Sequence, residues 1–190
     1  MRCQVIPKFL GKIQSALLEN VNIALIGFRG TGKTAIAKLL AKKLDKKLVS
    51  TDDEIVKKTK MSIAKFVQKY GWDRFRDIEI DVIEKISDFD ECVFDAGGGI
   101  VMRNENIINL KRSALIILLT ADIKTIKNRI KGGKERPALT KSSYLDEIKN
   151  ILQEREPRYK KAADYTIDTS RLSPEEACDL IAHYIQMELQ

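Results

Sequence analysis

The sequence contains little cysteine and a single histidine. Among its 190 residues are three widely separated cysteines, Cys3, Cys92 and Cys178, and one histidine, His183. The odd number of cysteines and the lack of a C-x-x-C spacing support neither a disulfide framework nor a zinc site. One histidine in an amphipathic C-terminal stretch gives no basis for histidine-dependent nucleophilic chemistry. The cysteine usage is typical of a reducing compartment, and we expect a cytoplasmic protein.

Long apolar runs are also missing, which argues against a membrane protein. No run approaches the roughly 20 residues that span a bilayer. Near the N-terminus, Pro7, Lys8 and Lys12 interrupt what would have to be the apolar core of a signal peptide. We therefore predict an N-terminal extension over residues 1–20, followed by one globular domain over residues 21–190.

Positive charge is in excess, but it is dispersed. The chain has 34 Lys and Arg against 27 Asp and Glu, a formal net charge of +7. The lysine doublets at 42–43, 46–47 and 57–58 are not interleaved with aromatic residues, as a surface for single-stranded nucleic acid would be. We interpret them as solvated faces and expect a monomer with no nucleic-acid or membrane partner.

One motif stands out against this background. Residues 27–34 read GFRGTGKT, between the apolar run 22–26 and an alternating apolar and basic stretch from Ala35. The pattern G-x-x-x-x-G-K-[ST] surrounds nucleotide phosphates with backbone N–H groups, and its hydroxyl binds Mg²⁺. A chance match in a chain of this length has a probability of about one percent. We expect the phosphates of ATP to bind Gly30, Thr31, Gly32, Lys33, Thr34 and Ala35.

Apolar strand-like runs alternate with helical patterns along the chain, which predicts an α/β fold with a parallel sheet. The predicted strands cover Asn22–Ile26, Lys47–Ser50, Glu91–Asp95, Ala114–Leu119 and Tyr165–Asp168. The predicted helices cover Lys33–Leu44, Ser62–Tyr70, Trp72–Ile86, Asp122–Lys131, Tyr144–Lys161 and Ser173–Glu188. In such sheets, ligands bind beyond the carboxyl ends of the strands.

Polar and glycine residues follow the second and third predicted strands. Asp52 could orient or deprotonate an acceptor hydroxyl, or it could be the N-cap of a helix that begins near Glu54. The glycines at 97–99 could let the backbone approach a small ligand, or they could form an ordinary turn. Both segments lie where a second substrate is expected.

Several arginines are candidates for binding anionic groups. Arg76 and Arg155 could grip a carboxylate through bidentate guanidinium contacts. The alternatives are a surface helix pair of Arg76 with Glu79, one turn away, and a solvated position for Arg155. Arg129 precedes a glycine-hinged basic segment, and we predict a mobile lid at about residues 131–143.

Taken in order, these motifs resemble the shikimate kinase family from about Asn22 to the C-terminus. The shared motifs are GFRGTGKT at 27–34, T-D at 51–52, M-S-I-A at 61–64, F-R-D-I-E at 75–79, G-G-G at 97–99, R-P at 136–137, R-E-P-R-Y at 155–159 and I-D-T at 167–169. The resemblance implies a three-layer P-loop kinase fold with strand order 2-3-1-4-5. It also implies transfer of the γ-phosphate of ATP, with Mg²⁺, to the 3-hydroxyl of shikimate.

The resemblance also assigns roles by position. Asp52 would hold the shikimate hydroxyls and assist deprotonation, Arg76 and Arg155 would bind the carboxylate, and the segment Gly97, Gly98 and Gly99 would contact the substrate through its backbone. Lys33 and Arg136 would stabilise charge on the transferred phosphoryl group. Arg129 would reach the nucleotide, Thr34 would bind Mg²⁺, and Arg171 would border the adenine.

Two positions depart from the family pattern. Family members usually have D-T-D where this chain has Ser50-Thr51-Asp52, and Val67 stands where an aromatic residue commonly covers shikimate. Our hypothesis is that Asp95 supplies, through water, the metal-site carboxylate that Ser50 cannot. The alternative is that Asp95 only caps the glycine turn.

Two other functions remain open at this point. One is a related kinase for gluconate or for a nucleotide, although Arg76 and Arg155 favour a carboxylate over a nucleobase. The other is a nucleotide-binding regulatory protein that has lost catalysis, for which Ser50 and Val67 are the only support.

Overall fold

A computed structural model describes residues 21–131 and 144–188 of the chain. Five strands form one parallel sheet in the order β2-β3-β1-β4-β5. Their bounds are β1 Asn22–Ile26, β2 Lys47–Ser50, β3 Cys92–Asp95, β4 Ala114–Thr120 and β5 Tyr165–Asp168. The strand order and the α/β architecture that the sequence predicted are confirmed.

Seven α-helices and one short 3₁₀ helix occupy the described residues. The α-helices are α1 Lys33–Lys43, α2 Thr51–Thr59, α3 Ile63–Ile86, α4 Asn104–Ser113, α5 Ile123–Lys131, α6 Tyr144–Ala162 and α7 Pro174–Glu188, and the 3₁₀ helix covers Ile100–Met102. Helix α3 is interrupted at Gly71, which has φ 80° and ψ 169°. The two helices predicted on either side of this glycine are therefore confirmed as segments of one kinked element.

Most of the core lies in two layers, one on each face of the sheet. Side chains alternate between opposite faces along a strand, and all five residues of β1 are buried. Ala24 and Ile26 pack in a cluster with residues of α2, α3, α4 and α6, whereas Ile23 and Leu25 pack in a cluster with residues of α1 and α7. Helices on both faces give the three-layer arrangement.

Helix α4 was not predicted from the sequence, and α2 was considered only as a helix that begins near Glu54. Helix α2 has two buried residues, Thr51 and Ile55, and α4 also has two, Asn106 and Leu110. Both helices are short and charged, and one residue of each buried pair is polar. Their sequences therefore show only a weak helical periodicity of apolar residues. The interpretation of Asp52 as an N-cap is wrong, because the Ser50 side chain caps α2 by accepting a hydrogen bond from Asp53 N at 3.2 Å.

The predicted N-terminal extension and most of the predicted lid lie outside the described residues. In the part of the chain that the structure describes, no helix combines the length and the apolar character needed to cross a bilayer.

Candidate active site

The P-loop connects the end of β1 to the start of α1. Three of its glycines have positive φ angles, 138° at Gly27, 83° at Gly30 and 95° at Gly32. A Cβ atom on Gly27 would lie 2.2 Å from the carbonyl oxygen of Leu119, so only glycine fits there. The Thr31 hydroxyl donates a hydrogen bond to Phe28 O at 2.8 Å and closes the turn.

Lys33 and the start of α1 form the cationic end of this loop. The buried Lys33 Nζ donates hydrogen bonds to Gly27 O at 2.9 Å and to Phe28 O at 3.0 Å, which holds the ammonium over the loop. The N-cap of α1 is Gly32, which offers no side-chain hydrogen bond to the first turn. The N–H groups of that turn therefore suit an anion such as phosphate.

A hydroxyl and a carboxylate meet beside the P-loop. Thr34 Oγ1 donates a hydrogen bond to Asp95 Oδ2 at 2.6 Å. Asp95 ends β3 and is aligned with Leu25 of β1 on one side and with Ser50 of β2 on the other. At the carboxyl ends of these strands, the carboxylate is therefore carried by Asp95 of β3, directly beside Ser50, which ends β2.

The glycine segment Gly97–Gly99 follows β3 and contacts three other elements. Gly97 N donates to Thr51 Oγ1 at 2.9 Å. Gly98 O accepts from Arg155 Nη1 at 2.8 Å and from the Tyr159 hydroxyl at 2.5 Å. Burial raises the pKa of Tyr159 to about 12, so its phenol remains a donor at neutral pH. The segment is thus more than an ordinary turn.

Arg76 and Glu79 form a largely buried ion pair on α3. Their side chains are 12% and 1% exposed, and Arg76 Nη1 donates to Glu79 Oε1 at 2.8 Å and to Oε2 at 2.7 Å. Asn106 Nδ2 also donates to Glu79 Oε2, at 3.2 Å. Burial raises the pKa of Glu79, while Arg76 opposes that shift. The interpretation as a surface helix pair is therefore wrong, although the two residues do pair.

Gly99 leaves the space that the Arg76 guanidinium occupies. A Cβ atom at Gly99 would lie 2.1 Å from Arg76 Nη2 and 2.4 Å from Nη1. Arg155, which contacts Gly98 O from α6, has a buried Nε without a hydrogen-bond partner among the described residues. A buried N–H of this kind is costly unless a ligand satisfies it.

Two adjoining cavities contain these groups. The smaller, of about 260 Å³, is lined by P-loop residues that include Lys33 and Ala35. The larger, of about 1170 Å³, is lined by Arg76, Glu79, Gly99 and Arg155. Both cavities are lined by the same central set of residues, Arg29, Thr34, Ser50, Asp52, Asp95, Gly97 and Gly98. A phosphate donor in one cavity and an acceptor in the other would meet at this set.

The remaining predicted nucleotide residues are more dispersed. Arg129 on α5 donates from Nη2 to Thr169 O at 2.8 Å and from Nη1 to Thr169 Oγ1 at 3.0 Å. Thr169 in turn donates to Thr31 O at 2.9 Å, which connects Arg129 to the P-loop. Arg171 lies exposed between β5 and α7. Arg136 lies outside the described residues.

Comparison with known proteins identifies the family. The shikimate kinase family model matches residues 29–186. The shikimate kinase of Thermodesulfovibrio yellowstonii is 44% identical over 160 residues, covering 84% of this chain and 92% of that one. The chain belongs to the shikimate kinase family. A second relative, the shikimate kinase of Caldicellulosiruptor bescii, is 40% identical over the same shares of the two chains.

Solved shikimate kinase structures have the same fold. The enzyme from Acinetobacter baumannii in complex with shikimate has a TM-score of 0.86 and 28% identity, covering 92% of this chain and 98% of that one. The Aquifex aeolicus enzyme has a TM-score of 0.73 and 27% identity, covering 88% and 98%. The predicted family is confirmed, and with it the activity of an ATP-dependent kinase that acts on shikimate.

Sequence reasoning missed several groups of this shikimate kinase site. Asn106, which supports Glu79, comes from a helix that was not predicted. Tyr159, which donates to Gly98 O, entered the sequence analysis only as the last residue of the R-E-P-R-Y motif and was given no role. Trp72 lines the larger cavity and was assigned no role. Its position directly after Gly71, at a predicted helix boundary, was the available signal.

The contact of Gly99 with Arg76 gives a first prediction. In Gly99→Ala, the added methyl group would force the guanidinium away from its position beside Glu79. We expect the KM for shikimate to rise about tenfold or more, as for the loss of a charge-assisted hydrogen bond, with little change in the KM for ATP.

Steady-state kinetics in the Arg76→Ala background provide the control. That variant has no guanidinium to displace, so the glycine substitution should then add little, as a double-mutant cycle tests. Equal effects of Gly99→Ala in both backgrounds would contradict the proposed contact.

Proposed function

We propose that this shikimate kinase transfers the γ-phosphate of ATP to the 3-hydroxyl of shikimate, which yields shikimate 3-phosphate and ADP. In this proposal the nucleotide phosphates bind the P-loop, and shikimate occupies the larger cavity. The observation that supports it most strongly is the convergence of Arg76 and Arg155 on the glycine segment, from α3 and α6. Two guanidinium groups beside one glycine segment suit a carboxylate acceptor.

Arg76 and Arg155 bind the carboxylate of shikimate. Glu79 occupies Nη1 of Arg76, while Gly98 O occupies Nη1 of Arg155. These contacts fix each guanidinium through one nitrogen and leave other N–H groups for the substrate. The buried Nε of Arg155 is one such donor. A guanidinium offers its donors in a planar fork that matches a carboxylate better than an ammonium does.

Asp52 orients the reacting hydroxyl and accepts its proton. It lies in the first turn of α2 and lines both cavities. A Cβ atom on Gly97 would lie 2.8 Å from Asp52 Oδ1, so the carboxylate rests directly against the glycine segment. During transfer the hydroxyl oxygen bonds to the γ-phosphorus, its proton passes to the Asp52 carboxylate, and the bond from phosphorus to ADP breaks.

Positive charge around the transferred group supplies most of the catalysis. Phosphoryl transfer depends on positioning and on electrostatic stabilisation more than on covalent chemistry. Lys33 and the first turn of α1 stabilise the phosphates, and Arg129 approaches the nucleotide. Arg136, which belongs to the predicted lid, stabilises charge on the transferred phosphoryl group. Arg171 borders the adenine.

The residues beside the P-loop suit Mg²⁺. This ion prefers oxygen ligands and retains several waters, so it is usually held by one or two protein groups together with phosphates. Thr34 and Asp95 are a hydroxyl and a carboxylate joined by a 2.6 Å hydrogen bond. The hydroxyl would bind the ion directly, and Asp95 would act through water. When bound, Mg²⁺ would supply positive charge that offsets the negative charge of the phosphates.

An acceptor panel tests the proposed reaction. The protein is incubated with ATP, Mg²⁺ and either shikimate, gluconate or a nucleoside monophosphate, and ADP formation is measured. We expect ADP release that depends on shikimate, with shikimate 3-phosphate as the product. ADP formation with gluconate or a nucleoside monophosphate alone would assign another kinase reaction. ATP binding without turnover on any acceptor would indicate a regulatory protein.

The alignment of Ser50 with Asp95 gives a prediction about the metal. In Asp95→Asn the Mg²⁺ requirement should rise, because the carboxylate beside Thr34 is lost. We expect about a tenfold higher Mg²⁺ concentration for half-maximal activity, the lower end of the usual effect of removing an outer-shell group. Mn²⁺ binding to the protein with ADP, measured by electron paramagnetic resonance, should weaken similarly.

Ser50→Asp in the Asp95→Asn background tests position. Aspartate is as good an N-cap as serine, so α2 should keep its first turn. The second substitution restores a carboxylate on the neighbouring strand, and we expect it to recover most of the metal affinity. An unchanged Mn²⁺ affinity in Asp95→Asn would contradict the role of Asp95.

A further inference from the structure

Trp72 is the only tryptophan in the chain and lies at the edge of the larger cavity. It directly follows Gly71, whose φ of 80° breaks α3 and redirects the chain. The residue is 43% exposed, although tryptophan has the largest of all apolar side chains. A cavity-lining aromatic residue with this exposure has surface available for a ligand.

The face of Trp72 lies against Arg76. The Arg76 Cζ atom is 5.4 Å from the centroid of the Trp72 ring and 5.1 Å from the centroid of the Phe75 ring. The two rings are themselves 5.6 Å apart in an edge-to-face arrangement at 86°. Both distances to Arg76 are within the roughly 6 Å range of cation–π attraction. Arg76 therefore has an aromatic contact in addition to its ion pair with Glu79.

The contact with Trp72 fixes the orientation of the Arg76 guanidinium plane, which the ion pair with Glu79 leaves variable. Both hydrogen bonds to Glu79 come from the same nitrogen, Nη1 of Arg76. One anchored nitrogen leaves the plane of the guanidinium able to rotate, and a bidentate contact with a carboxylate depends on that plane. A guanidinium that stacks on an aromatic ring favours one orientation of its plane, so Trp72, together with Phe75, restricts the rotation.

Among the described residues, the cavity wall near Trp72 offers a ligand little other aromatic surface. Val67, on the first segment of α3, lines the same cavity with a short side chain, and Phe75 is buried. Next to Trp72, Asp73 pairs with Arg103 at 3.2 Å, and both residues line the cavity. The exposed part of the indole is thus the main aromatic surface available to an acceptor ring at this edge.

We propose that Trp72 is a positioning and specificity residue for the acceptor. Its ring holds the Arg76 guanidinium in the plane that a carboxylate requires, and its exposed surface packs on the apolar face of a small cyclic hydroxy acid. This inference rests on the proposed function, because it assumes that the carboxylate binds Arg76.

Three substitutions of Trp72 separate the two contributions. Trp72→Ala removes both, and we expect the KM for shikimate to rise roughly three- to tenfold, the range of one cation–π contact with some loss of packing. Trp72→Leu keeps apolar surface without a π face, so it should recover only part of the loss. Trp72→Phe should restore most of it. The kcat and the KM for ATP should change little in all three variants.

Phe89→Ala is the matched control, since Phe89 is also an exposed aromatic residue but does not line the cavity. It should leave both KM values unchanged. Trp72 fluorescence provides a direct readout, because adding shikimate without ATP should change the emission of the wild-type protein.

The outcomes distinguish the two proposals. If the wild-type protein forms no ADP with shikimate, the proposed function fails. If it does form ADP, an unchanged shikimate KM in Trp72→Ala or an unchanged emission on shikimate addition overturns the role of Trp72 alone. A fall in kcat with no change in KM would also overturn it, since it would indicate a structural effect.

Discussion

The parallel pairing of β3 between β2 and β1 is the constraint on which the site depends. Its register aligns Asp95 with Leu25 and with Ser50, so three strands end at one edge of the sheet. The P-loop, α2 and the glycine segment then leave that edge from neighbouring positions. The P-loop backbone and the carboxylates of Asp52 and Asp95 come together because the strands that carry or precede them end together. A shift in this register would separate them.

The glycine segment connects these strand ends to the larger cavity. It receives a hydrogen bond from each of two α6 side chains and donates one to Thr51, and its last residue leaves room for Arg76. Buried charge is tolerated there because Glu79 compensates Arg76 and Asn106 supports Glu79. Arg76 and Arg155 thus lie on helices α3 and α6 rather than on loops, and their hydrogen bonds to Glu79 and Gly98 O keep both guanidinium groups in place.

Much of the fold could be predicted because the strands are apolar runs and the longer helices have apolar residues at clear helical spacing. The P-loop and the strand-end residues could also be predicted, since each is a local pattern. Helices α2 and α4 give weaker signals, because each buries only two residues and one of the two is polar. The hydrogen bond from Asn106 to Glu79 joins residues 27 positions apart, so local sequence does not show it. The contact of Trp72 with Arg76 is different, because the two residues are four positions apart on one predicted helix and helix geometry alone makes them neighbours.

The central claim is that shikimate binds with its carboxylate between Arg76 and Arg155 and its reacting hydroxyl at Asp52, next to the P-loop. A crystal structure of the protein with shikimate, ADP and Mg²⁺ tests it most directly. We predict guanidinium contacts from both arginines to the carboxylate, with the 3-hydroxyl within hydrogen-bond distance of Asp52 and facing Lys33. A carboxylate bound away from both arginines, or a 3-hydroxyl directed away from the P-loop, would contradict the account.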